Sequence, residues 1–249
     1  MAQRTAVWIS GASSGIGAAL AASVPYPHAR LIGIGRRPPV AGEHLQADLS
    51  DPSTWPRVAA HFHEVLESEE FDQAVFIHMS GIGEPACAAA DADAAQYTAA
   101  VLLNSASGQA LGQAFVSACA PGGVHATLCL CSSPAAANPA RGVSHYGAGK
   151  LAVQYWVASV ALETDGWAHV FSVIPFAVDT PMVRKAMDDL PAGHPIGEHL
   201  RSSAASGRLA TADATAAQIW ELTRDAATHG KAVPVGAVPV PTRAEELKT

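Results

Sequence analysis

Thr5-Ala6-Val7-Trp8-Ile9-Ser10-Gly11-Ala12-Ser13-Ser14-Gly15-Ile16-Gly17 is the stretch on which the fold turns. Its first six residues form a short, mostly apolar run of strand length, and an alanine-rich helical pattern begins at Gly15 and continues to Val24. The spacing between them is Gly-x3-Gly-x-Gly. Glycines there permit a tight turn and let backbone N–H groups approach a pyrophosphate, while the helix N-terminus adds partial positive charge. The turn lacks the Lys-Ser/Thr ending of an NTPase phosphate loop, so a dinucleotide is the expected ligand. Its expected contacts are Gly11, Ser13, Ser14, Gly15, Ile16 and Gly17.

Outward from this turn, short apolar runs alternate with longer helical patterns. Strands are expected at Thr5–Ser10, Arg30–Gly35, His44–Ala47, Gln73–Ser80, Gly123–Ser132, His169–Pro175 and Ala232–Val235. Several are apolar throughout, as parallel strands covered on both faces are. Helices are expected at Gly15–Val24, Pro52–Glu67, Ala92–Ala118, Ser144–Glu163 and Ala212–Thr228. Asp51-Pro52 supplies an N-cap and a first-turn proline, and Thr211 or Asp213 caps the last helix. Repeated strand–helix–strand units imply an α/β fold, a doubly wound parallel sheet with right-handed crossovers. Arg36–Glu43, with Pro38-Pro39 at its middle, reads as a loop.

The least regular stretch, 176–208, contains Pro181, Pro191, Pro195, Gly193, Gly197 and Gly207. It follows a strand directly, which places it over the carboxyl ends of the strands, where ligands bind. A mobile lid is the functional reading and an ordinary surface insertion the alternative. No low-complexity linker or internal repeat divides the chain, so one domain over residues 1–249 is expected.

The formal charge is −7, only 15% of residues are charged, and Lys and Arg form no dense run. That balance argues against nucleic acid or an anionic membrane as partner. No apolar stretch reaches the roughly 18 residues needed to span a bilayer, and Met1 to Ser10 lacks the layout of a signal peptide. A cytoplasmic protein is expected. Cys87 and Cys119 stand alone, while Cys129 and Cys131 share one face of a strand; all four read as small core hydrophobes. The eleven His are scattered, with His61 and His63 read as a solvated helix face, so no metal site is expected.

The end of the second strand bears on which dinucleotide binds. An acidic residue there would hold the ribose 2′-hydroxyl of NAD. This chain has Gly35-Arg36-Arg37 instead, and two guanidinium groups suit a 2′-phosphate. NADP(H) is therefore the expected cofactor, with two merely solvated arginines as the alternative. Asp48, followed by Leu49 after the third strand, either accepts a hydrogen bond from the adenine amino group or caps the turn before Pro52.

Tyr146-Gly147-Ala148-Gly149-Lys150 opens a long helix, and positions i and i+4 share a helix face. An adjacent ammonium favours phenolate, and is expected to bring the tyrosine toward working pH for acid/base work. Ser132 and Ser133 end the preceding strand, fourteen and thirteen residues before Tyr146, where a hydroxyl could hold a substrate carbonyl oxygen.

Taken together, Gly-x3-Gly-x-Gly, a serine thirteen residues before a tyrosine, and Tyr-x3-Lys are similar to the short-chain dehydrogenase/reductase family over nearly the whole chain. The resemblance implies a Rossmann-type fold with a seven-stranded parallel sheet that binds NAD(P). It implies Tyr146 as acid/base, Lys150 as the residue that lowers its pKa and binds the nicotinamide ribose, and Ser133 as the substrate-orienting serine. Asn104 matches the asparagine that anchors a proton-relay water. Ser80 and Gly81 fall in the cofactor turn after the fourth strand, while Pro175, Val178 and Thr180 fall on the pattern that holds the nicotinamide carboxamide.

Two departures stand out. Where the family usually has Asn-Asn-Ala-Gly, this chain has His78-Met79-Ser80-Gly81, which removes the side-chain amide that braces the central strands. Where the family has Pro-Gly, this chain has Pro175-Phe176, and the ring is expected to narrow the pocket or restrict the backbone there. The short connection after the second strand, Gly-Ala-Gly-Lys after Tyr146, Ala161-Leu162-Glu163 and Asp179-Thr180-Pro181-Met182 resemble the sepiapterin and benzil reductase branch.

The expected activity is NADPH-dependent reduction of a small ketone or diketone. Alternatives are reduction of 3-oxoacyl groups on acyl carrier protein, through a basic patch of Arg184, Lys185, Arg201 and Arg208, and a non-catalytic NADP-binding regulator. The resemblance also implies a homodimer or homotetramer. Ala106, Gly108 and Gly112, or Gly147, Ala152 and Ala158, would allow close helix packing between copies, or equally within one.

Overall fold

The structure is a computed structural model and describes residues 4–120, 123–164 and 166–236. The remaining residues of the expected 1–249 domain lie outside that description. Seven parallel strands form one sheet: β1 (Thr5–Ser10), β2 (Arg30–Gly35), β3 (Glu43–Gln46), β4 (Gln73–His78), β5 (His125–Cys131), β6 (Ala168–Pro175) and β7 (Ala232–Val235). Every strand lies within two residues of its expected bounds. The order is β3-β2-β1-β4-β5-β6-β7. The chain thus runs outward from β1, returns to place β4 beside it, and runs outward the other way. The β1/β4 boundary is the switch point where a doubly wound sheet leaves a crevice.

Among the described residues, eight α-helices surround the sheet: α1 (Gly15–Ala22), α2 (Trp55–Ser68), α3 (Ala94–Val101), α4 (Ser107–Cys119), α5 (Ser144–Glu163), α6 (Pro181–Asp189), α7 (Pro195–Ala205) and α8 (Ala212–Leu222). Alternation along β1 divides its apolar side chains between two cores. Ala6 and Trp8 join Val58, Phe62, Leu111, Phe115 and Val153 from α2, α4 and α5. Val7 and Ile9 join Leu20, Ile219 and Trp220 from α1 and α8 on the other face. Trp8 meets Phe62 and Phe115 edge-on at centroid distances of 5.3 and 6.0 Å. Such contacts add about 0.5–1.5 kcal/mol each beyond the area they bury.

Three helical expectations change. The stretch at Ala92–Ala118 is not one α-helix: a π-helical turn at Leu102–Ala106 separates α3 from α4. The last helix stops at Leu222, and a 3-10 turn at Ala226–Thr228 follows. Segment 176–208 is regular, because Pro181 and Pro195 each occupy the first position of a helix. There the missing N–H costs nothing and the fixed φ suits the helix. Thr211, not Asp213, caps α8, its hydroxyl accepting from the Ala214 N–H at 3.1 Å.

The histidine pair also divides. His63 is exposed, whereas His61 turns inward and its Nδ1 accepts from the Trp8 indole N–H at 3.2 Å. Burial pushes the His61 pKa down. A tryptophan so deeply buried needs a partner for its N–H, and the helix supplies one. Among the described residues, no helix is long and apolar enough to cross a membrane.

Candidate active site

The carboxyl ends of β1, β4, β5 and β6 meet at one place, and the chemistry-bearing residues of the sequence gather there. At the first turn Gly11 has φ +72°, a conformation L side chains rarely adopt. Gly17 approaches it so closely that a Cβ would lie 2.4 Å from the Gly11 carbonyl oxygen. Ser14 is the N-cap of α1, yet its hydroxyl makes no capping bond, and the first turn has no acidic residue. The helix N-terminus therefore lacks internal neutralisation, and its turn is compact enough for backbone N–H groups to surround a phosphate; both fit a dinucleotide pyrophosphate. Ser13 and Ser14 are half-buried beside it, while Ile16 packs against the α1/α8 core.

Arg36 and Arg37 are exposed just beyond β2. Asp48 faces Arg36, whose Nη1 lies 3.9 Å from its Oδ2. The other oxygen accepts from the Ser50 N–H at 3.0 Å and the Ser50 hydroxyl at 2.6 Å, so Asp48 does cap its own turn. Partial burial works to raise its pKa, but the Ser50 bonds and the Arg36 charge hold it below the usual value. Leu49 is buried in the core, and its carbonyl accepts from the Trp55 indole N–H at 3.1 Å.

At the head of α5, Lys150 is only 3% exposed and donates to the Cys131 carbonyl at 2.8 Å, with Nζ 5.7 Å from the Tyr146 ring centroid. The ammonium was expected to draw the phenol's pKa down. Instead burial pushes Tyr146 up to about 12, the neighbouring Cys131 thiol acts in the same direction, and the Ser133 hydroxyl offsets only part of this. Lys150 lies over the ring and is engaged by a carbonyl, and burial lowers its own pKa as well. Ser133 caps a short turn, accepting from the Ala135 N–H at 3.2 Å, and faces the phenol. Its neighbour Ser132 is buried, donates to the Lys150 carbonyl at 3.1 Å, and accepts from Gln154 at 2.8 Å. The two serines thus separate into one at the site and one beneath it.

Asn104 sits on the π-helical turn, 2% exposed. Its amide pairs with the Ile82 backbone as another peptide would, accepting from N–H at 3.0 Å and donating to C=O at 2.8 Å. Gly81 is thereby fixed between the functional groups. A Cβ there would lie 3.1 Å from Asn104 Oδ1, 3.6 Å from Lys150 Nζ and 4.0 Å from Met182 Cε. Met182 brings α6 to the site, a contact that sequence spacing did not reveal.

After β6, the Asp179 N–H donates to the Ala210 carbonyl at 2.8 Å and the Ala210 N–H to the Ala177 carbonyl at 3.0 Å. In such a parallel bridge the backbone groups of Val178 itself face the edge opposite Ala210. Thr180 caps α6, accepting from the Val183 N–H at 3.3 Å, and its methyl group lies against Gly15. Pro175 ends β6, and Phe176 after it is 43% exposed.

The brace expected to be lost with the family's asparagine is present in another form. His78, 4% exposed, contacts Ser10 through Nδ1 at 2.8 Å and Ser107 through Nε2 at 3.1 Å, tying β4 to β1 and α4. The small residues of α4 are likewise engaged within the chain: a Cβ at Gly108 would approach His78 at 3.1 Å, and one at Gly112 would meet Trp156 at 2.8 Å. Gly147 similarly packs on the Ala135 carbonyl.

The four cations read as a basic patch mostly have partners. Arg184 makes a bidentate pair with Asp179 at 2.7 and 2.8 Å, and Lys185 pairs with Asp189 at 2.5 Å and with Glu84 at 3.4 Å. Arg201 donates to the carbonyls of Met187, Leu190 and Pro191 at 2.7, 3.2 and 3.3 Å and to Glu198 at 3.0 Å. Arg201 therefore clasps the α6–α7 corner. His194 joins that corner to the loop after β5 through the Arg141 carbonyl at 2.8 Å.

The sequence of residues 5–191 matches the family model described as short chain dehydrogenase. A short-chain dehydrogenase of Neurospora crassa, srdC, is 37% identical over 89 residues, which is 35% of this chain and 32% of that protein. The chain therefore aligns with only about a third of the length of that curated relative. Among solved structures, the aldohexose dehydrogenase of Thermoplasma acidophilum superposes with a TM-score of 0.76 at 20% identity, covering 96% of this chain and 97% of that one. A levodione reductase gives 0.77 at 21% identity, covering 93% and 95%. A Beutenbergia cavernae protein described as an NAD(P)-dependent gluconate 5-dehydrogenase, with NADP bound at low occupancy, gives 0.74 at 22% identity, covering 94% and 95%. At these identities the structures share the fold.

Proposed function

Because the chain belongs to the short-chain dehydrogenase/reductase family and is an oxidoreductase on that ground, we propose that it reduces a small ketone or diketone using NADPH. The observation that carries this reading is the convergence of Asn104 and Lys150 on Gly81, where a Cβ would lie 3.1 Å from Oδ1 of the one and 3.6 Å from Nζ of the other, beside Tyr146 and Ser133. A bound nicotinamide dinucleotide supplies the hydride. Gly11, Ser13, Ser14, Gly15, Ile16 and Gly17 would hold its pyrophosphate, Asp48 and Leu49 its adenine end, and Ser80, Gly81, Pro175, Val178 and Thr180 its nicotinamide end. Arg36 and Arg37 would hold the 2′-phosphate, and their exposure at the end of β2 supports NADPH over NADH.

Tyr146 donates a proton to the oxygen that gains negative charge as the carbonyl carbon is reduced. A phenol held at about 12 is fully protonated at neutral pH, and so stands ready as an acid. Ser133 donates a hydrogen bond to the same oxygen, and its preset position is worth more in a site that excludes water. Lys150 and Asn104 line the route by which the phenol is reprotonated. Segment 176–208 acts as the lid, held over the site by the Lys185–Glu84 and His194–Arg141 contacts.

Reduction of 3-oxoacyl groups on acyl carrier protein loses support, because Arg184, Lys185 and Arg201 are paired with acidic residues within the segment. Assembly through α5 gains it: Ala148, Leu151, Tyr155, Ala158 and Leu162 form an exposed apolar stripe at helical spacing. The reading is tested by consumption of NADPH and NADH across a panel of ketones and diketones. Turnover of a diketone with preference for NADPH supports it; binding of NADPH without turnover of any carbonyl compound favours the regulator instead.

A further inference from the structure

His78 is the chain's departure from its family at the strand-order switch, and its hydrogen bonds have a definite direction. Ser107 donates its single hydroxyl hydrogen to the Leu103 carbonyl at 2.8 Å, so toward His78 its oxygen accepts. Nε2 of His78 therefore carries the proton, and Nδ1 is bare. Ser10 then donates to Nδ1 at 2.8 Å, and its oxygen accepts the Ser80 N–H at 3.1 Å. Ser10 and Ser107 are fully buried, and every polar atom in this run has a partner of the right kind, which a polar network in a low-dielectric interior requires. Gly108 completes the fit by leaving room for the imidazole Cδ2.

The run has one branch that reaches the site. Ser10 immediately precedes Gly11, and Ser80 immediately precedes Gly81. The two turns touch, since a Cβ on Gly11 would lie 3.2 Å from the Ser80 nitrogen. We propose that His78 is a positioning residue: through Ser10 it fixes the turn at Gly11 against the turn at Ser80–Gly81, and so sets the affinity for the dinucleotide. The proposal rests on the dinucleotide-binding reading given above. The Ser107 branch serves only to hold the imidazole in its tautomer and to join α4.

The two branches can be cut separately. Ser10→Ala removes the site branch and Ser107→Ala the other. At position 78, Asn keeps an acceptor near the place of Nδ1, whereas Gln places its amide near the place of Nε2 and leaves Ser10 without an acceptor. NADPH binding is followed by fluorescence titration, alongside Tm for each variant. Ser10→Ala and His78→Gln are expected to weaken NADPH binding by ~10-fold, as loss of a buried hydrogen bond does. Ser107→Ala and His78→Asn are expected to stay within ~3-fold of wild type, although all four lower Tm by a similar few degrees. The proposal is overturned if Ser10→Ala binds as wild type does, or if affinity merely follows Tm across the set. Should a position-78 variant fail to fold, the two serine variants decide by themselves. A wild-type chain that binds neither NADPH nor NADH overturns the dinucleotide reading as well, a result distinct from equal binding by all variants.

Discussion

Ser10 and His78 stand opposite one another in register on neighbouring parallel strands, the hydroxyl oxygen 2.8 Å from Nδ1. The imidazole is surrounded by partners that suit only its neutral form. Burial, with the Lys150 charge adding to it, pushes its pKa down to about 3.

That depression has a consequence for acid stability. The folded-state pKa lies below the unfolded value near 6.5, so the contribution is fully present above pH ~6.5 and is lost as pH falls toward about 3. One such group adds a slope of up to ~1.4 kcal/mol per pH unit in that window. His61, His145 and His169 are shifted the same way by burial and contribute to the total. Denaturant melts from pH 7 to pH 4 should show a shallower loss of stability in His78→Asn than in wild type. Equal slopes would show that His78 is not held neutral.

Arg36 and Arg37 should separate the two cofactors. Charge-assisted bonds to a phosphate contribute about 1.5–3 kcal/mol each. Replacing either arginine with alanine should therefore lower kcat/KM for NADPH by ~10- to 100-fold and leave NADH within a few-fold. An equal fall for both cofactors would remove the 2′-phosphate assignment.

Arg201 holds the corner between α6 and α7 through three carbonyls and one carboxylate. Arg201→Ala should loosen the lid by ~1–3 kcal/mol, the cost of leaving such groups without partners. Hydrogen exchange should accelerate in residues 187–201 while the β1 and β4 amides keep their protection, and KM should rise more than kcat falls. Unchanged exchange in that segment would show that the clasp is not what orders it.

The stripe on α5 should be an interface with a second copy. Tyr155 is 78% exposed and Leu162 86% exposed, though both are large apolar side chains. Light scattering should give a dimer or tetramer for wild type and a smaller species for Tyr155→Glu with Leu162→Glu. A monomeric wild type at micromolar concentration would contradict this.

Much of the site was readable because its parts are local in sequence. The glycine turn, Ser133, and the Tyr146–Lys150 pair announce themselves by spacing along one strand end or one helix face. What was hidden depends on partners far away in the chain. The environment of Asn104 needs the Ile82 backbone, twenty-two residues distant, and a π-helical turn that no periodicity signals. His61 reads as solvated until Trp8, fifty-three residues away, requires an acceptor. Pro181 and Pro195 read as breaks because a proline at the start of a helix and one that ends it look alike until the following residues are known to be helical. The Tyr146 pKa follows from burial, which spacing does not report. Ser10 and Gly108 carried the signal for the His78 brace, but only in combination with the strand order.

The measurement that bears most directly on the proposed reduction is the single-turnover rate of NADPH oxidation by a small diketone in wild type and in Tyr146→Phe. Removing one hydroxyl from the acid that protonates the developing alkoxide should lower the rate by ~10²- to 10⁴-fold, with NADPH affinity and Tm nearly unchanged. A folded Tyr146→Phe protein that oxidises NADPH at close to the wild-type rate would contradict the account.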